Sequence, residues 1–226
     1  ISFLTHNPTP EGFQSMLAEL STLKRGSERL EEHLKSLYLT RCSNCRQMVA
    51  ADAFLWRKGE SAPYARIYNC AACGDTGQKP VTDEDLERLL ALQKSYPMHQ
   101  ARALERASTG IVDSQKLVEE VLNLYTPRAV YFIFTLLNKA EGMTQSSSQR
   151  DYLDAMFLNI LDAGHALNPW PITSESPRSL SQPAEYIERN LWSVMESTSE
   201  EWCSAARGVD ISTWPELPTG AGISLH

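Results

Sequence analysis

The chain has 226 residues, 42% hydrophobic and 22% charged, a composition that supports one large or two small folded domains and excludes global disorder. A formal net charge of −7 argues against non-specific wrapping of nucleic acid over the whole surface. The longest strongly apolar run, Ala129 to Leu137, is far too short to cross a bilayer.

In chain order, the stretch Asn7 to Tyr38 reads as helical. Thr9 suits an N-cap, Pro10 the first helical position, and Glu11 the positive end of the dipole. Phe13, Met16, Leu17 and Leu20 recur at helical spacing. Lys24, Arg25 and Gly26 interrupt the pattern, and Leu30, Leu34 and Leu37 resume it. Residues 39–80 change period. Val49–Arg57 and Tyr64–Cys70 read as two strands joined by the turn Lys58–Pro63. Val81–Tyr96 is a helix in which Thr82 and Asp85 form a capping box, and a less regular section follows to Gly110. Ser114–Tyr125 reads as helical. A further helix begins with Thr126 as cap and Pro127 in the first turn. Thr144–Gln149 is a polar linker before an apolar helix over Arg150–Leu167. Asn168–Pro183 is a Pro/Ser loop, Ala184–Ala206 the last helix, and Gly208–His226 a loop-like tail.

Four of the five cysteines fall in two Cys-x-x-Cys turns, Cys42/Cys45 and Cys70/Cys73, at the ends of the expected hairpin. Two such turns supply four thiolates to one centre, the donor set of tetrahedral Zn²⁺. Four cysteine ligands leave no open position, so the metal is structural, with iron as the alternative occupant. Disulfides or a redox pair are the competing readings; a reducing compartment disfavours the first and two matched pairs the second. Two short strands cannot fold alone, and zinc binding to such a site contributes roughly 10–16 kcal/mol in apparent terms.

Residues 39–80 hold six basic side chains (Arg41, Arg46, Arg57, Lys58, Arg66, Lys79) against three acidic ones (Asp52, Glu60, Asp75), a local surplus of three. Arg57, Lys58, Tyr64, Arg66 and Tyr68 are the candidate nucleic-acid contacts, through stacking and phosphate pairing. The competing reading packs Tyr64, Arg66 and Tyr68 against a helix, with Arg66 over an aromatic ring. Phe54 and Trp56 share a face and read as core. Cys203 reads as a buried small hydrophobe, His165 as a satisfied core residue and His33 as a solvated one. No histidine falls at metal-ligand spacing, and glycine-rich nucleotide loops, Gly-x-Ser-x-Gly and His-Glu-x-x-His are missing, so no catalytic residue is assigned.

The order of Leu37–Gly74, Lys79–Leu89, Leu124–Leu137 and Tyr186–Glu196 resembles the zinc-ribbon-containing DNA methyltransferases of the adenine-specific or DNA-modification type, over about residues 37–215. The resemblance implies transfer of a methyl group from S-adenosylmethionine to an exocyclic base nitrogen in the parent enzyme. That family's cofactor loop and its Pro-Pro-Tyr-type catalytic loop are not in the sequence; Asn168–Pro171 lacks the second proline and a preceding apolar strand. Only Cys42, Cys45, Cys70 and Cys73 carry over, as metal ligands. The chain is therefore expected to be an excised, non-catalytic internal segment of a cytoplasmic methyltransferase. It would engage DNA through the parent while the target base is flipped out. The alternative is a structural interaction module that packs on the parent or a partner and touches no DNA. The expected fold is α+β, mostly helical with a small β-hairpin zinc ribbon. The expected units are a helical segment (1–38), the ribbon (39–80), a helical domain (81–210) and a tail (211–226).

Overall fold

The computed structural model describes residues 8–108, 115–143, 145–172, 181–208, 210–213 and 222–225, with side chains up to residue 204. Helix α1 (Pro10–Thr22) starts where the local signals place it. Thr9 Oγ1 accepts the Gly12 amide at 3.2 Å, and Phe13, Met16 and Leu20 are buried. A Cβ on Gly12 would lie 2.1 Å from the Tyr152 ring, so glycine is what admits that ring. The interruption at Lys24–Gly26 is a tight hairpin of β1 (Lys24–Arg25) and β2 (Glu28–Arg29), turned by Gly26 at φ +66°. Helix α2 (Leu30–Ser36) then buries Leu30 and Leu34.

The central sheet contains β3 (Leu39–Arg41), β4 (Met48–Arg57), β5 (Ala65–Asn69) and β6 (Thr76–Pro80), each antiparallel to the next. Helix α3 (Asp83–Ser108) follows, then α4 (Gln115–Leu122), α5 (Pro127–Ala140) and α6 (Ser147–Gly164). The fifth strand, β7 (Glu185–Arg189), pairs with Ala53–Arg57 of β4, leaving β3 on Met48–Ala50 of the same strand. Helix α7 (Leu191–Gly208) and a parallel pair, β8 (Asp210–Thr213) and β9 (Gly222–Leu225), complete the described elements. The fold is α+β and mostly helical.

Strand β4 is buried on both faces. Phe54 and Trp56 enter the main core with Tyr38, Phe132, Leu191 and Trp192, while Ala53 and Leu55 meet Ala65 and Ile187 opposite. A bulge falls at Asp52, and Asn190 closes it: its amide N–H donates to the Asp52 carbonyl at 2.8 Å and its Nδ2 to the Ala51 carbonyl at 3.0 Å. The same side chain's Oδ1 accepts the Trp192 amide at 3.1 Å, capping α7.

Four expectations are corrected. Glu185–Arg189 is a strand and not the first turns of the last helix, because the free edge of β4 pairs its backbone. Helix α3 does not stop at Tyr96 but runs through Pro97 to Ser108, where Ala103 packs with Leu122 and Val130. Within the polar stretch 144–149, Ser146 and Gln149 form a reciprocal capping box that starts α6. The tail contains strands β8 and β9. The sheet also reaches beyond residues 39–80 through β7, and the core is continuous from α1 to α7.

Candidate metal centre

The two Cys-x-x-Cys turns are built alike. Each follows a strand end, and the amide of its first cysteine bonds a carbonyl five residues on: Cys42 to Gln47 at 2.9 Å, Cys70 to Asp75 at 2.8 Å. The carbonyl of that first cysteine accepts an amide four residues on, from Arg46 at 3.1 Å and from Gly74 at 2.8 Å. Both closing residues are left-handed, Arg46 at φ +65° and Gly74 at φ +74°. Arg46 is the only non-glycine residue with positive φ among those described, a cost accepted at a constrained site.

Strands β4 and β5 bring the two turns face to face. Sulfurs approach each other between turns, Cys42 to Cys73 at 3.5 Å and Cys45 to Cys70 at 3.6 Å, and all four lie within 4.8 Å of one another. A tetrahedron with metal–sulfur bonds of about 2.3 Å has edges of about 3.8 Å, so the donors fit a four-coordinate ion. A disulfide needs about 2.05 Å, and all five cysteines are free thiols. Cys42 and Cys70 are buried, Cys45 is half-buried and Cys73 is exposed.

The thiols are electrostatically unequal. Burial would raise Cys42, but the Cys45 and Asn44 amides and the neighbouring thiols outweigh it and bring it down to about 6. For Cys45 the Gln47 amide acts downward, yet burial and the other sulfurs prevail and push it up to about 12. Four sulfurs this close cannot all be thiolates unless a cation joins them.

Arg66 and Tyr68 support this centre from within and are not offered to a ligand. Arg66 is 1% exposed. It donates to Asp85 Oδ2 at 2.7 Å, to the Arg41 carbonyl at 2.9 Å and to Ser43 Oγ at 3.1 Å, so it ties the first turn to α3. Its guanidinium lies 5.5 Å from the Tyr68 ring centroid. The Tyr68 hydroxyl donates to Asp75 Oδ2 at 2.6 Å and accepts the Ser43 amide at 2.8 Å, joining the second turn to the first. Lys79 pairs with the other Asp75 oxygen at 2.8 Å. Burial, reinforced by Asp75, raises the Tyr68 hydroxyl and keeps it a donor.

Arg57 and Tyr64 sit together at the far end of the hairpin. The Arg57 guanidinium lies 4.2 Å from the Tyr64 ring centroid, and both donate to Glu185, at 3.1 and 2.9 Å. These bonds, Tyr64's first, hold the Glu185 carboxyl below the usual range. Lys58 is exposed. The five candidate contacts therefore do not form one basic face. The supporting residues Asp75, Asp85 and Glu185 are new; the Thr82–Asp85 capping signal flagged Asp85, but only as a helix cap.

Compared with protein-family models, with curated proteins and with solved structures, the chain finds no match in any of the three.

Proposed function

We propose that the chain is a zinc-clasped, non-catalytic accessory domain of an S-adenosylmethionine-dependent DNA amino-methyltransferase, and that it helps the parent enzyme hold DNA. The carrying observation is the pair of matched turns with four sulfurs within 4.8 Å of one another. With every position taken by cysteine, zinc supplies structure and not catalysis. The methyltransferase context rests on the resemblance alone. Its two weaker stretches meet in space, since Arg128 and Thr126 both bond Glu188, so they can be read as one packing unit.

Metal analysis of the purified chain tests the clasp. One zinc per chain, removed by a chelator with loss of structure around residues 39–80, is expected, and Cys70→Ser should reproduce that loss. A metal-free chain of unchanged stability would defeat the reading. The parent context is tested by the neighbouring coding sequence, which should hold a glycine-rich cofactor loop upstream and a Pro-Pro-Tyr-type loop downstream.

A second reading makes the chain a structural module that packs on the remainder of the parent. It is favoured by the internal engagement of Arg66, Tyr68, Arg57 and Tyr64. It is also favoured by an apolar groove of about 600 Å³ between α4, α5 and α6 that exposes Leu117, Val121 and Leu158.

A further inference from the structure

Away from the sulfurs, two adjoining clefts of about 440 and 660 Å³ share Arg25, His99 and Arg102. Arg106 and Lys139 line the first and Arg88 the second. Among the described residues no aspartate or glutamate lines either, although the chain carries a net charge of −7. Arg88, His99, Arg102 and Arg106 fall on one face of α3 at steps of eleven, three and four. By the helical rise, Arg88 and Arg106 stand about 27 Å apart along the axis, the length of several successive backbone phosphates.

One of these cations is held in place. The Arg25 guanidinium lies 5.2 Å from the Tyr131 ring centroid, and its Nη1 is 2.5 Å from His33 Nε2. His33 Nδ1 faces Glu28 at 3.1 Å, which makes Nε2 the acceptor for Arg25. His99 stands edge-on to the same ring at 4.9 Å. Arg106 is paired with Glu141 and Asn138, and Arg88 reaches the Leu39 carbonyl at 2.8 Å and pairs with Glu84 at 3.6 Å and Asp85 at 3.7 Å, so neither is free for a ligand. Arg102 and Lys139 make no ion pair among the described residues. The arginines also act on the cleft's His99 and on His33 behind Arg25: burial first and the arginines second lower both.

We infer that this cleft binds phosphate groups, with Arg25, Arg102 and Lys139 as the contacts and Tyr131 as the plate that orients Arg25. A preset guanidinium beside two cations that make no ion pair among the described residues suits phosphate oxygens better than an isolated carboxylate. The phosphates could come from a nucleic-acid strand or from a free polyphosphate. The first source rests on the proposed function; the second does not.

The test uses the full chain at about 50 mM salt, where phosphate contacts are strongest. Labelled single-stranded and duplex DNA of about 20 nucleotides per strand are titrated by anisotropy, and tripolyphosphate by calorimetry. R102E with K139E is expected to weaken binding at least about tenfold while circular dichroism is unchanged; R57E with K58E should leave it intact. Should the charge-reversed pair unfold, R102Q with K139Q replaces it. Loss of DNA binding in the cleft variant alone supports the cleft and the proposed function together. Binding of tripolyphosphate but not DNA, lost in the cleft variant, supports the cleft and defeats the DNA reading. DNA binding lost only in R57E with K58E overturns the cleft and leaves the proposed function standing. Absence of binding to any probe overturns the inference.

Discussion

Arg128 and Glu188 form an ion pair at 2.5 Å with both side chains 1% exposed. The carboxylate also accepts Trp56 Nε1 at 2.7 Å and the Thr126 hydroxyl, so α5, β4 and β7 meet on one residue. The guanidinium lies 4.2 Å from the Phe54 ring centroid and 5.5 Å from that of Tyr38. Burial and the Glu188 charge raise the Tyr38 hydroxyl, which stays neutral beside the pair. Removing one partner strands a buried charge. Glu188→Ala or Arg128→Ala should each lower unfolding free energy by about 3–5 kcal/mol in urea titrations. Arg128→Ala with Glu188→Ala should cost clearly less than the sum of the two single variants, because no charge is left behind. A strictly additive double variant would show that the pair is not coupled.

Asn190 carries two junctions with one side chain, the Asp52 bulge and the start of α7. Asn190→Ala should cost about 1–3 kcal/mol, combining a lost cap with an unpaired carbonyl at Ala51. Asn190→Ser keeps a cap acceptor for the Trp192 amide but is too short to replace the donor to Ala51, so its midpoint should fall between wild type and Asn190→Ala. Equal midpoints for the two variants would show that the cap contributes nothing.

The caps at Thr9 and Thr126 were legible because their signals are local: a hydroxyl, a proline and an apolar stripe within one turn. The sulfur cluster was legible for a related reason, since Cys-x-x-Cys fixes its own turn geometry. Strand β7 was not, because Tyr186 to Arg189 runs into a helical pattern and only the free edge of β4, about 130 residues earlier by sequence count, selects strand. Helix α3 outlasts Pro97 because packing around Ala103 offsets a mid-helix proline that costs about 3 kcal/mol. Arg66 illustrates the same limit at the site. Its position on β5 was readable, but its partner Asp85 lies on α3, and only the folded chain shows that the charge is neutralised inside.

Asp85 links the ribbon to α3. Burial acts to raise its carboxyl, but the Thr82 amide and hydroxyl and the Arg66 guanidinium prevail and lower it. A carboxyl lowered in the folded state contributes stability that is complete above its unfolded value, near 3.8, and is lost as pH falls through the lower folded value. Asp85→Asn should therefore destabilise at neutral pH by about 3–5 kcal/mol and lose less on further acidification. It should also weaken metal binding about 10–100-fold in chelator competition, because Arg66 would no longer fix the first Cys-x-x-Cys turn. Unchanged metal affinity would separate Arg66 from the centre.

His33 and Arg25 give a pH-dependent readout of the cleft. His33 is lowered from its ordinary value of 6.5 by burial first and by Arg25 second, against the opposing pull of Glu28. Its contribution to stability is complete above 6.5, where the imidazole is neutral in both states. That contribution is lost as pH falls toward the lower folded value, because the unfolded chain takes up the proton first. Arg25→Ala removes a repelling cation and leaves Glu28 in place, so the His33 resonance followed by NMR should titrate at higher pH than in wild type. Glu28→Gln should move it the other way. A His33 titration unmoved by Arg25→Ala would show that the guanidinium is not held against the imidazole, and the Tyr131 plate would then have no fixed cation to present.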